Sequence, residues 1–222
     1  MFNYIYFFLK YLGFHHLFYK YFYKLKPKYK YPINVKIKNE DFFIKKITKA
    51  RLPKISHEIW INNIIDFQKY VKSFGLKHFL NHPVILNTMF LRDSFFSHGS
   101  SFIKNDLKYL KKKIKIQNLN ENNIGMPMLS KYLGTSSANL IHHAVYFERF
   151  LDKFNIINKL SYVFEFGGGY GSFARYVLKK KNLSYAIYDF EIFTHLQNFY
   201  LSNLFKKKKI KYYNKIDQVK KI

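Results

Sequence analysis

Two acidic residues stand where apolar runs of this chain give out. Glu165 closes Tyr162-Val-Phe, and Asp189 closes Tyr185-Ala-Ile-Tyr188. Between them lie Gly167-Gly-Gly-Tyr-Gly171 and the apolar-periodic Phe173–Leu178. Glycines remove Cβ atoms where a backbone must turn sharply and approach a ligand. A helix starting behind them aims free N–H groups in the same direction. Strand, glycine turn, helix and a second strand ending in an acid is the way α/β proteins floor a nucleotide-like site. The pattern therefore predicts small-molecule recognition by Glu165, Gly167, Gly168, Gly169, Gly171 and Asp189. Phe190 either covers a planar ring of the ligand or enters the core.

Two cofactors compete for such a loop. Gly169-x-Gly171-x-x-Ala174 satisfies the dinucleotide fingerprint with alanine in its third place. Glu165-x-Gly167-x-Gly169-x-Gly171 resembles the loop of S-adenosylmethionine (SAM) methyltransferases in full. Glu165 favours the second, because a carboxylate at this strand tip repels a pyrophosphate. SAM carries an ammonium and a sulfonium and no phosphate. Asp189 does not separate the two, since a carboxylate there holds a ribose diol in either case. A glycine turn that binds nothing stands as the bland alternative.

The wider order of motifs is similar to the sugar O-methyltransferases of bacterial surface-glycan biosynthesis. Gly125-Met-Pro127, Leu133-Gly-Thr-Ser-Ser-Ala-Asn-Leu140 and a helix through His143 precede the glycine loop. After it comes Tyr188-Asp-Phe-Glu-Ile-Phe-Thr-His-Leu-Gln-Asn-Phe-Tyr-Leu201. The resemblance covers about 124 to 201 and departs from the family at Asp189-Phe-Glu191, where the family carries proline. It implies SAM as cofactor, O-methylation of a sugar hydroxyl, a cytoplasmic site of action and an acceptor drawn from glycan precursors. Within it Gly167, Gly169 and Gly171 face the methionyl part, Glu165 orients the loop or the ammonium, Asp189 holds the ribose and Phe190 covers the adenine.

Methyl transfer to a hydroxyl wants a base beside the acceptor. His142 and His143 are the candidates, and about 100° between helical neighbours lets at most one face a cleft. His195 follows the second strand, on the adenine side, and His98 lies in a loop. His57-Glu58 and the scattered carboxylates have no metal-ligand spacing, so no metal is expected.

Composition bounds the partners. The chain has 222 residues, 39 Lys+Arg against 13 Asp+Glu, and a net charge of +26. Lysine dominates, and Arg51, Arg92, Arg149 and Arg175 are widely spaced, without the clustered stripe of a nucleic-acid binder. The field suits an anionic acceptor or an anionic membrane face. With 25 Phe, 20 Tyr and many Lys, Asn and Ile, the bias follows A/T-rich codons. Cysteine is absent, which excludes disulfides and thiolate metal sites.

The elements that must position the acids read as follows. Residues 1–25 form a basic, aromatic helix that either lies on a membrane or packs on its own domain. Ser56 caps a helix to Phe74 with Ile61, Ile64, Ile65 and Gln68 inward, and Gly75 ends it. Pro83 opens a helix to Phe96, and Lys104–Lys113 is a short charged one. An Asn-rich turn at Gln117–Gly125 divides a mostly helical region, 1–124, from a SAM-binding domain, 125–222. Ser137 caps the helix that leads into strand Tyr162–Phe166. Then follow helix Ser172–Lys181, strand Ser184–Asp189, helix Phe193–Phe205 and strand Lys209–Tyr213. The fold class expected is α/β, an incomplete doubly wound, Rossmann-like domain behind a helical region. With only three strands in place, a C-terminally truncated enzyme is expected. The alternatives are a non-catalytic remnant or binding module, and a basic protein of membrane surfaces or nucleic acid.

Overall fold

A computed structural model describes residues 37–54, 56–89, 101–114, 119, 122–126, 137–156, 158–180, 183–205 and 210–215. The basic helix expected within 1–25, the loop of His98, and the Pro127–Ser136 stretch lie outside them. The described residues all belong to one compact unit, Asn34–Ile222.

The chain order is α1 (Glu40–Thr48), α2 (Glu58–Phe74), a 3-10 turn (Phe79–Asn81), α3 (Pro83–Thr88), α4 (Ser101–Lys111), α5 (Ser137–Phe154), β1 (Tyr162–Phe166), α6 (Ser172–Lys180), β2 (Ser184–Tyr188), α7 (Glu191–Leu204) and β3 (Ile210–Tyr213). The three strands form one parallel sheet in the order β1-β2-β3. Glu165 pairs in register with Ile187, Phe166 with Tyr188, and Tyr188 with Tyr213. Helices alternating with parallel strands make this an α/β arrangement.

The sheet is parallel because β1 and β2 are each followed by a helix long enough to carry the chain back. Tyr185 and Ile187 on β2 are fully buried, and Val163 and Ile210 pack against the same core. On the opposite face of β1, Phe164 is 42% and Phe166 78% exposed. Helix α7 is the centre of the packing. Its Leu196, Phe199, Tyr200 and Leu201 are buried, and α1 lies against it with Phe43 edge-on to Phe199 at 5.6 Å. Phe79 wedges between Tyr170, Phe199 and Tyr200, at 6.0–6.2 Å. Through these rings the helices before Gly125 and the glycine loop share one core.

One helix start differs from its sequence reading, whereas α3 starts at Pro83 as expected but ends at Thr88, short of Phe96. In α2 the cap is His57, whose Nδ1 accepts from the Ile59 N–H at 3.3 Å, one residue after Ser56. His82 does the same for α3, ahead of Pro83. The inward stripe of α2 is Ile64, Phe67 and Val71 rather than the Ile61, Ile64, Ile65 and Gln68 set. Gln68 instead donates to the carbonyls of Ile47 and Ala50, at 3.1 and 2.8 Å, and pins the end of α1. Among the described residues no helix is long and apolar enough to cross a membrane.

Candidate functional site

The carboxyl ends of β1 and β2 open into a cleft of about 570 Å³. Its floor is Glu165 to Tyr170, with Tyr188, Asp189 and Phe190 along one side. The helical region supplies Trp60, Thr88 and Met89, and α5 supplies His143. The two strand tips are joined directly: the Gly167 N–H donates to the Tyr188 carbonyl at 2.9 Å.

Each glycine has its own reason. Gly167 lies at φ +72°, and a Cβ built there meets nothing within 4 Å. The backbone at that point is left open to the cleft. Gly168 is the reverse: a Cβ would lie 2.7 Å from Ile187 Cγ2 and 3.0 Å from Glu165 Oε2. It is the point where loop and sheet touch. Gly169 borders Met89 at 3.5 Å and lines the cleft. Gly171 stands apart from the cleft lining and packs over Leu201 at the start of α6.

The two acids are held differently. Glu165 accepts one hydrogen bond, from the Tyr185 hydroxyl at 3.0 Å. Burial pushes its carboxyl up to about 7, the Tyr185 bond opposes that, and the Asp189 charge adds to it. Asp189 takes the Phe190 N–H at 2.8 Å on Oδ1 and the Gln197 amide at 2.8 Å on Oδ2. Burial raises it to about 6, against those donors and the Gly169 N–H. Gln197 also donates to the Gly169 carbonyl at 2.9 Å.

Among the described residues no lysine or arginine lines this cleft. The chain matches no family model, no curated protein and no solved structure. What the cleft can do must therefore be read from its own chemistry. Two desolvated carboxylates, open backbone at Gly167 and an aromatic wall suit a ligand with a positive charge, hydroxyls and a planar ring. That wall is Trp60 with Phe190 at 6.0 Å and Phe193 at 6.1 Å.

Of the histidines, His143 lines the cleft, edge-on to Phe173 at 6.1 Å. Desolvation, together with neighbouring His142, lowers its pKa and keeps it neutral. His142 turns away and faces Asp106, with 3.6 Å between Nδ1 and Oδ2. His195 lies 3.7 Å from Glu191 on α7 and does not reach the lining. Among the described residues no group of three His, Asp or Glu side chains is placed to hold a metal ion.

Three members of the site were not found from the sequence. Trp60 is about 100 residues from the glycine loop, and no local spacing links them. Gln197 was noted only as part of a helix. Tyr185 alternates onto the Glu165 face of the sheet, which strand periodicity could have indicated.

Proposed function

We propose that this chain carries the cofactor-binding part of a SAM-dependent methyltransferase, in a Rossmann-like α/β domain, acting on a sugar hydroxyl. The observation that carries the cofactor is the charge of the cleft. In a chain with 39 cationic residues, none of the lysines or arginines among the described residues lines the cleft, and two carboxylates do. A pyrophosphate is disfavoured there and a cation favoured. The acceptor class, a glycan-precursor sugar, rests on the family resemblance.

When bound, SAM supplies an electrophilic methyl group on a sulfonium. The residues present fit it. Glu165 would face the cationic methionyl end and Asp189 would accept the ribose hydroxyls on its remaining lone pairs. The open backbone at Gly167 allows close approach. Trp60, Phe190 and Phe193 would flank the adenine. His143, neutral and at the cleft wall, is placed to accept the acceptor hydroxyl's proton on an imidazole nitrogen. Its packing against Phe173 fixes the ring for that task.

Calorimetry of the full chain with SAM and with NAD tests the reading. Saturable binding of SAM, weakened at least tenfold in Asp189→Ala, is expected, with NAD much weaker. NAD binding as tight as SAM, or an unaltered Asp189→Ala, would overturn it.

A further inference from the structure

Helix α7 runs behind the cleft floor, and Gln197 on its inner side is fully buried. Its Nε2 bridges the Gly169 carbonyl and Asp189 Oδ2, while its Oε1 has no hydrogen-bond partner. Both neighbours are acceptors, so only the amide nitrogen can face them. A buried carbonyl oxygen left unanswered is unfavourable, and an apolar side chain of similar size would avoid it. The position thus favours the donor over the better-packed alternative.

We propose that Gln197 is a positioning residue: it ties the glycine loop to the β2 tip and presents Asp189 to the cleft as a charged acceptor. The two ends of a ligand are then gripped by one rigid unit rather than by two independent loops. A Cβ on Gly168 would already lie 3.3 Å from Gln197 Nε2, so amide and loop are in close packing. Burial raises Asp189, and the Phe190 N–H, the Gln197 amide and the Gly169 N–H oppose it. Among the described residues the other titratable groups around the cleft are Glu165 from β1, Tyr170 from the loop, His143 from α5 and Tyr188 from β2. None is a cation that could take over the role of Gln197 at neutral pH.

The ligand used in part of the test rests on the SAM reading; the titration does not. In Gln197→Leu, with the full chain, carboxyl carbon-13 resonances should place the Asp189 midpoint about 1 pH unit higher than in the parent. SAM affinity should fall about tenfold near pH 5, and the gap should close near pH 9, where Asp189 is ionised in both proteins. Should Gln197→Leu not fold, Gln197→Glu keeps the volume, removes the donor and should raise Asp189 further. An unmoved Asp189 midpoint in either folded variant would sink the proposal, as would an affinity gap equal at both pH values. Failure of the parent to bind SAM would count against the cofactor alone, since the Asp189 titration needs no ligand.

Discussion

Glu148 and Glu165 are desolvated carboxylates on consecutive elements, α5 and β1, and the chain treats them in opposite ways. Glu148, 3% exposed, accepts from the Tyr176 hydroxyl at 2.5 Å and forms an ion pair with Lys180. Among the described residues Glu165 accepts from Tyr185 alone, and no lysine or arginine lines its cleft. Cations were not scarce, with 39 Lys+Arg in the chain. A buried carboxylate without a partner is costly, so a fold optimised for stability alone would have paired or removed it. Glu148 fastens α5 to α6. On the proposed reading Glu165 keeps a charge for a cationic ligand to complete, which would separate a structural acid from a site acid on physical grounds.

The largest effect should come from breaking the closed pair. Lys180→Met leaves the Glu148 charge buried with only a tyrosine hydroxyl, and should cost about 3 kcal/mol. Guanidinium unfolding would measure it. Glu148→Gln in the same background should recover most of the loss, because the uncompensated charge is then gone. A loss under about 0.5 kcal/mol would place the pair among ordinary surface bridges and dissolve the contrast.

At Glu165 the sign reverses. Its folded pKa, about 7, lies above the ordinary 4.5. The native state therefore holds a proton that the unfolded chain gives up. The stability this contributes is complete below about pH 4.5 and is lost as pH rises through about 7. Glu165→Gln carries no such penalty, so the ligand-free variant should be the more stable by about 3 kcal/mol near pH 8 and equal to the parent near pH 4. It should at the same time bind SAM at least tenfold more weakly. Thermal unfolding across pH checks the first half, and equal parent and variant curves would mean that Glu165 is not strained by its setting.

The strands and the helix between them were legible because apolar runs are punctuated by glycine and acid: β1 begins and ends at Tyr162 and Phe166 as read. Expected Ser172–Lys181 and observed Ser172–Lys180 differ by one residue. Helix α7 starts two residues before the expected Phe193, because Phe190 adopts the extended capping conformation and Glu191 enters the first turn. The inward face of α2 was misjudged because Glu58–Phe74 is apolar on more than one side, and α1 and α3 choose among the options. His57 and His82 escaped notice as caps because an imidazole nitrogen imitates the usual Ser or Asp oxygen only when neutral. Trp60, Tyr185 and Gln197 became site residues only through contacts across the fold. The acids and glycines were readable locally; their partners were not.

Smaller effects should distinguish the neighbouring glycines. Gly168→Ala drives a methyl into Ile187 and the Glu165 carboxyl, and should cost about 2 kcal/mol of stability. Gly167→Ala meets no atom, so its cost is the left-handed backbone, about 1 kcal/mol. For binding the order should invert at equal folded fraction. The new methyl at 167 enters the open space where a ligand approaches, whereas that at 168 acts behind the floor. Unfolding and SAM calorimetry on both variants separate the two losses, and a parallel ranking would mean that Gly167 does not face the ligand.

Trp60 gives the finest test, because it is the chain's only tryptophan. Its ring sits against Phe190 and Phe193 at the cleft wall, so its fluorescence reports directly on what enters. Adenosine and SAM should both alter the emission, since both bring a planar ring to that wall, and methionine should not. Trp60→Phe keeps an aromatic face and should hold SAM affinity within about threefold; Trp60→Ala should lose about tenfold, in line with one aromatic contact of about 1.4 kcal/mol. Here too the acid tips set the comparison: on the proposed reading the wall would add affinity for the ring, while Glu165 would select the charge. Removing Trp60 should therefore weaken SAM and adenosine equally and leave their ratio intact, whereas Glu165→Gln should collapse that ratio. If Trp60→Ala changed the ratio instead, the wall and the carboxylate would not be acting on separate parts of one ligand.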